Sequence, residues 1–183
     1  MITPSTAELF FAFLTLVVNV AVVAGVVLWV ASRWSKGATR LLEEVRVELA
    51  RFGVPLAFAV AGTAMAGSLY FSEVAHYVPC TLCWYQRIGM YSLAIILLVA
   101  VIRSDRGIRP YGITLALVAL PISIYHYLVE WFPSIETDVC SVGLSCSIVW
   151  FRSMGFMTFA YMAGSGFAFI ALVLALTPKK ETV

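Results

Sequence analysis

Two cysteines stand three positions apart in the stretch VPCTLCWYQRIGMY, residues 78–91, and an arginine, Arg87, follows Cys80 and Cys83 four residues further on. A second pair, Cys140 and Cys146, brackets the loop CSVGLSC. Thiols at such spacings can staple a fold, ligate zinc or pass electrons by exchange. A zinc site prefers tight ligand hairpins, and the five-residue gap in the second pair is looser than the usual two to four. Structural disulfides serve small domains with weak cores, and the short C-x-x-C ring constrains little chain entropy. The spacing favours redox exchange, with the staple and the four-thiolate zinc site as the competing readings.

The residues around Cys83 point the same way. A helix beginning near the motif turns its first N–H groups and the positive end of its dipole toward the sulfurs, which favours a thiolate. Positions 80, 83 and 87 share one helical stripe, with Arg87 about one turn deeper than Cys83. An arginine at that depth needs a partner unless it snorkels back to the headgroups. In SIYHYLVEWF, His126 lies about one turn inside the outer end of its own apolar run. Alone it would read as a packing residue. Beside a dithiol, Arg87 and His126 at one depth outline a small site for a ligand with carbonyl oxygens and an apolar tail, with Gln86 a weaker contributor.

Composition sets the frame for these residues. Hydrophobic side chains make up 62% of the 183 residues and charged ones 12%, half the share of a soluble domain. The net charge of +2 is small and scattered, which excludes a nucleic-acid surface. Apolar runs at residues 9–31, 53–72, 84–102, 111–129 and 155–177 approach or exceed the roughly 20 residues needed to span a bilayer. The expected fold is an all-α integral membrane protein with five spanning helices. The opening MITPSTAE has no basic residue, so the first run reads as a retained helix rather than a cleaved signal.

Arg33, Lys36, Arg40, Arg46 and Arg51 fall between the first two runs, Arg103, Arg106 and Arg109 between the third and fourth, and Lys179 and Lys180 after the last. Glu8, Glu73, Glu130, Glu136 and Asp138 fall in the opposite segments. The positive-inside rule then puts the N-terminus and all four cysteines outside and the C-terminus in the cytoplasm, where the outer side lets disulfides persist. In RLLEEVRVELARF, Leu41, Leu42, Val45, Leu49 and Phe52 share one face, expected to lie on the inner membrane surface. Residues 1–52 thus read as an N-terminal helix and linker, and residues 53–183 as a four-helix unit. The segment SIVWFRSMGF is either a short interfacial helix holding Cys146 near Cys80 or the start of the last span.

The motifs GSLYFSE, PCTLCWYQRIGMY, SIYHYL and CSVGLSCS, in this order over residues 53–177, strongly resemble the DsbB family, in particular its short-loop branch typified by BdbC. Vitamin K epoxide reductases also combine a loop pair with a C-x-x-C, but their loop cysteines come first. The resemblance implies a DsbB-like four-helix bundle in the cell membrane that reoxidises an extracytoplasmic thioredoxin-fold oxidant, DsbA- or BdbD-like, and passes electrons to a membrane quinone, ubiquinone or menaquinone. It implies that the partner attacks Cys140, that Cys146 exchanges with Cys80, and that Cys83 faces the quinone. Arg87 would stabilise the Cys83 thiolate and bind a quinone oxygen, with His126 and Gln86 beside it and no metal. The rivals are a scaffold with two structural disulfides and a vitamin K epoxide reductase-like quinone reductase. The first helix departs from the family's four spans, and Asn19 is its one strongly polar residue.

Overall fold

A computed structural model describes residues 4–140 and 143–178; Lys179 and Lys180 lie outside the described residues. Five long helices follow one another: α1 (Pro4–Ala31), α2 (Lys36–Leu69), α3 (Thr81–Ile102), α4 (Arg109–Trp131) and α5 (Phe159–Leu176). Each is long and apolar enough to cross a membrane. The helix starts carry side-chain caps where the chain must turn, with Ser35 bonding the Ala38 N–H of α2 and Thr158 the Tyr161 N–H of α5. A π turn, Tyr70–Val74, ends α2 below the C-x-x-C.

α2, α3, α4 and α5 form a bundle in which α4 lies along α5, α2 along α3, and α5 also meets α2. Its centre holds Leu93, Leu97, Phe167, Ile170 and Leu174, all fully buried. Lipid tails are as apolar as leucine, so close approach rather than hydrophobic segregation must hold such helices together. Ala57, Ala61, Ala116 and Ala119, at most 2% exposed, supply that closeness. At Gly89 a Cβ would stand 2.9 Å from the Ala119 Cβ and 3.3 Å from the Phe167 ring, so α3, α4 and α5 meet at a point with no room for a side chain.

α1 packs outside the four, against α5 and α2. Its inner stripe includes Ala7, Ala12 and Thr15, all buried, while Phe10, Phe13, Val20 and Val23 stay more than half exposed, as a lipid-facing side requires. Two polar ties fix it. Asn19 Nδ2 donates to Tyr161 Oη at 3.1 Å, and Tyr77 Oη donates to Glu8 Oε1 at 2.7 Å. The Glu8 carboxylate accepting that bond pushes the Tyr77 phenol up to about 12, so the clasp keeps its proton at any physiological pH.

Two expectations change. The RLLEEVRVELARF segment is not a separate linker but the first half of α2, which runs unbroken through residue 53 with Pro55 inside it. Leu42 and Leu49 are buried against Val173 and Leu176 of α5, with Leu28 of α1 beside them; Leu41 and Phe52 remain exposed. The apolar stripe is thus shared between protein and surroundings. SIVWFRSMGF is neither an interfacial helix nor the start of α5, which opens at Phe159. It makes a tight turn closed by the Ser153–Met157 bridge, with Met154 and Gly155 at positive φ. Aromatic packing explains this, since Trp150 stacks on Tyr77 at 4.9 Å and Phe151 meets Phe159 edge-to-face at 4.5 Å, which draws the segment over the bundle end.

Gly89→Val should lower thermal stability by about 1–3 kcal/mol through overpacking, whereas Gly62→Ala, whose Cβ meets only ordinary contacts beyond 3.4 Å, should be neutral or stabilising. Equal melting curves for the two variants in detergent would contradict the three-helix junction.

Candidate redox site

The C-x-x-C is built on the start of α3. Cys80 is the residue that caps the helix: its extended backbone turns the sulfur back to accept the Cys83 N–H at 3.3 Å. The two Sγ atoms are 2.8 Å apart, so the pair is poised to close or open a disulfide with little movement. Of the two sulfurs that the sequence puts at the helix N-terminus, Cys80 is the one that accepts its N–H. The Cys83 thiol donating to it, and next the His126 ring, hold the Cys80 sulfur well below the ordinary thiol range against the opposing effect of burial.

Cys140 and Cys146 are joined in a disulfide with Cα atoms 5.7 Å apart. Glu136 organises this loop: its Oε1 accepts the Cys146 N–H at 2.7 Å, and both carboxylate oxygens accept from Ser145 Oγ, at 2.9 and 2.8 Å. Tyr125 Oη donates to the Ile135 carbonyl at 3.0 Å, tying the loop back to α4. Both loop cysteines are buried in one apolar cluster with Cys80, Leu82 and Val129, so the two pairs are stacked rather than separate.

His126 lies at the junction. Its ring is 2% exposed; Nε2 donates to the Cys146 carbonyl at 3.2 Å and stands 3.6 Å from the Cys80 sulfur. Nδ1 is 3.4 Å from Gln86 Oε1. An imidazolium donates to that oxygen, while a neutral ring accepts from the amide turned over. One amide atom of Gln86 is left over either way. As placed it is Nε2, buried and without a partner. One turn along α4, Glu130 is 8% exposed, accepts from the Thr158 hydroxyl, and has Oε1 4.0 Å from His126 Nε2.

Beyond Cys83 a mostly apolar cavity of about 350 Å3 opens, to which α3 contributes the polar side chains of Cys83, Gln86, Arg87 and Tyr91. The Arg87 guanidinium donates to the Ser68 carbonyl at 3.1 Å and lies 5.1 Å over the Trp84 ring. His126 is not on this cavity. It faces a small pocket behind the thiols with Cys80, Cys83 and Glu130, and Gln86 stands between it and the larger space. The structure thus brings Cys80, Cys83, Cys140, Cys146, His126 and Gln86 together and puts Arg87 on the far side of Cys83. The loop disulfide also takes two sulfurs out of a four-thiolate zinc set; Cys80, Cys83 and His126 remain as a compact trio.

Two residues of the site carry a weaker sequence signal. Glu130 reads as an outer-segment charge, but its position four residues after His126 within one helix puts both on one face. Glu136 has no such periodicity to betray it, because a loop carboxylate finds its donors only once the loop is folded.

A family model for disulfide bond formation protein DsbB matches residues 50–177. The chain belongs to the DsbB family. It is 35% identical over 131 residues to probable disulfide formation protein C 2 of Bacillus anthracis, covering 72% of this chain and 94% of that protein. It is 39% identical over 120 residues to disulfide bond formation protein C of Bacillus subtilis, with 65% and 87% covered, and 38% identical over 117 residues to the SPbeta prophage-derived disulfide bond formation protein B of the same organism, with 62% and 78% covered. No solved structure matches the chain. Membership of the DsbB family makes this multi-pass membrane protein a thiol:disulfide oxidoreductase. The match begins within α2, so α1 stands outside it.

The Cys80 geometry has a titration consequence. In a Cys140→Ala, Cys146→Ala background, the reduced C-x-x-C should show ultraviolet thiolate absorbance at neutral pH. Because the shift is downward, that signal should vanish only as pH falls through the lowered value. Cys83→Ala should move it up toward the ordinary thiol value of about 8.5, and His126→Leu should move it in the same direction. A wild-type pair titrating at the ordinary value would contradict the assignment.

Proposed function

We propose that the protein oxidises the dithiol of an extracytoplasmic thioredoxin-fold partner and delivers the electrons to a membrane quinone, with the cysteine end of the bundle outside the cell membrane. The observation that carries this reading is the stacking of the two cysteine pairs across His126, with Cys83 opening on a cavity. A scaffold with two staples gains nothing from such an arrangement.

The exchange steps follow from the placement of the sulfurs. A partner thiolate attacks Cys140 and forms a mixed disulfide, and Cys146 leaves as the thiolate. The partner's second thiol then attacks the mixed disulfide, so the partner departs oxidised and the loop pair reduced. Cys146 next attacks Cys80 of an oxidised C-x-x-C, and Cys83 leaves as the thiolate; Cys140 closes on Cys146 and releases Cys80. Two electrons and two protons have then passed from the partner to the C-x-x-C. His126 holds the Cys146 backbone against Cys80 and steadies whichever sulfur carries charge. Burial of both loop cysteines requires the loop to open for the partner, and the Glu136 bonds are what must release.

A quinone bound in the cavity would accept the two electrons from the reduced pair and leave as quinol. The side chains present suit it. The walls match an apolar ring and tail, the orphaned Gln86 amide and the Arg87 guanidinium offer donors to carbonyl oxygens, and the Cys83 sulfur borders the same space. Unpartnered buried donors are rare enough in native structures to call for a ligand.

Arg87 provides the test. Arg87→Ala should weaken apparent quinone affinity by about 10- to 150-fold, the worth of a hydrogen bond to a charged group, and slow turnover without loss of membrane insertion. Arg87→Lys should restore little, because a flexible point charge lacks the planar fork. The measurement is quinone-dependent oxidation of a reduced thioredoxin-fold dithiol over a range of quinone concentrations. An Arg87→Ala protein with wild-type affinity and rate would overturn the assignment.

A further inference from the structure

We infer that α1, the helix outside the family match, is a wall of the quinone cavity and selects the quinone by its tail. The inference rests on the quinone reading above and adds a site on residues outside the family match.

The cavity that begins at Cys83 and Arg87 is closed on one side by Phe11, Leu14 and Val18 of α1, facing Val60 of α2 and Met162 of α5 across the space. The charged and amide side chains of the lining, Arg87 and Gln86, both stand on α3, where Tyr91 Oη donates to Ser68 Oγ at 3.1 Å. The α1 side is apolar but for Thr15. A head group carrying oxygens is therefore directed to Gln86 and Arg87, and a hydrocarbon tail to α1.

α1 is placed firmly enough to act as a wall. Phe11 lies over Gly67, where an added Cβ would meet its ring at 2.5 Å, and packs on Phe71 with ring centroids 5.6 Å apart. The Glu8–Tyr77 clasp joins it to the segment leading into Cys80, and Asn19–Tyr161 joins it to α5. Thr15 spends its hydroxyl on the Phe11 carbonyl at 2.8 Å, so it adds no competing polarity to the tail end. In a bundle of α2–α5 alone, this side of the cavity faces lipid and any tail can leave sideways. With α1 in place, length and bulk of the tail meet a fixed surface.

The test uses the full-length protein in detergent, with quenching of its tryptophan fluorescence as a measure of quinone binding, alongside single-turnover oxidation of its own reduced thiols. The probes are a long-chain isoprenoid quinone and the same head group without a tail. Leu14→Trp and Val18→Trp should weaken the long-chain quinone by at least about tenfold through overfilling and leave the tail-less quinone within about twofold, where such a difference is minor. Val20→Trp, on the exposed face of α1, should bind both as wild type does. Val18→Ala, which leaves α1 packed should a tryptophan fail to fold, should weaken the long-chain quinone by about three- to tenfold through lost contact. Variants that bind both quinones like the wild type would overturn the role of α1 while leaving the quinone reading intact. A wild-type protein that binds neither would overturn both.

Discussion

An imidazole buried in an apolar helical bundle must find its hydrogen-bond partners inside the protein, because lipid offers none. His126 finds them on the Cys146 carbonyl, the Cys80 sulfur and the Gln86 amide, so one ring fixes the loop pair against the helix pair. Much of the site is arranged around that constraint. The loop must fold down to present its carbonyl, which the Glu136 and Tyr125 bonds accomplish. Cys80 must cap α3 so that its sulfur reaches the ring, and Glu130 and Thr158 close the space behind it.

The same geometry divides the labour of the polar residues. His126 lies between the two cysteine pairs, Arg87 lines the cavity that Cys83 borders, and Gln86 reaches from the His126 ring to that cavity.

Much of this was legible in the sequence, and the physics says which part. Spanning helices follow from local hydropathy, so α1, α3 and α4 fall where their apolar runs lie, and the cysteine spacings need no tertiary information. The depth of His126 was readable from its position in α4, but not its direction, because the face of α4 that turns inward depends on how Ala116 and Ala119 pack against neighbouring helices. Arg87 and His126 therefore looked like one site and belong to two sides of Cys83. The SIVWFRSMGF turn and the Glu136 contacts were illegible for a related reason, since aromatic stacking and loop hydrogen bonds join residues far apart in the chain.

In the proposed relay the two cysteine pairs exchange through a Cys80–Cys146 link. The direct measurement is disulfide mapping of a Cys83→Ser, Cys140→Ser protein after mild oxidation in detergent. An intramolecular Cys80–Cys146 disulfide forming in nearly every molecule is the expected result. Free thiols at both positions, or links only between molecules, would contradict the relay.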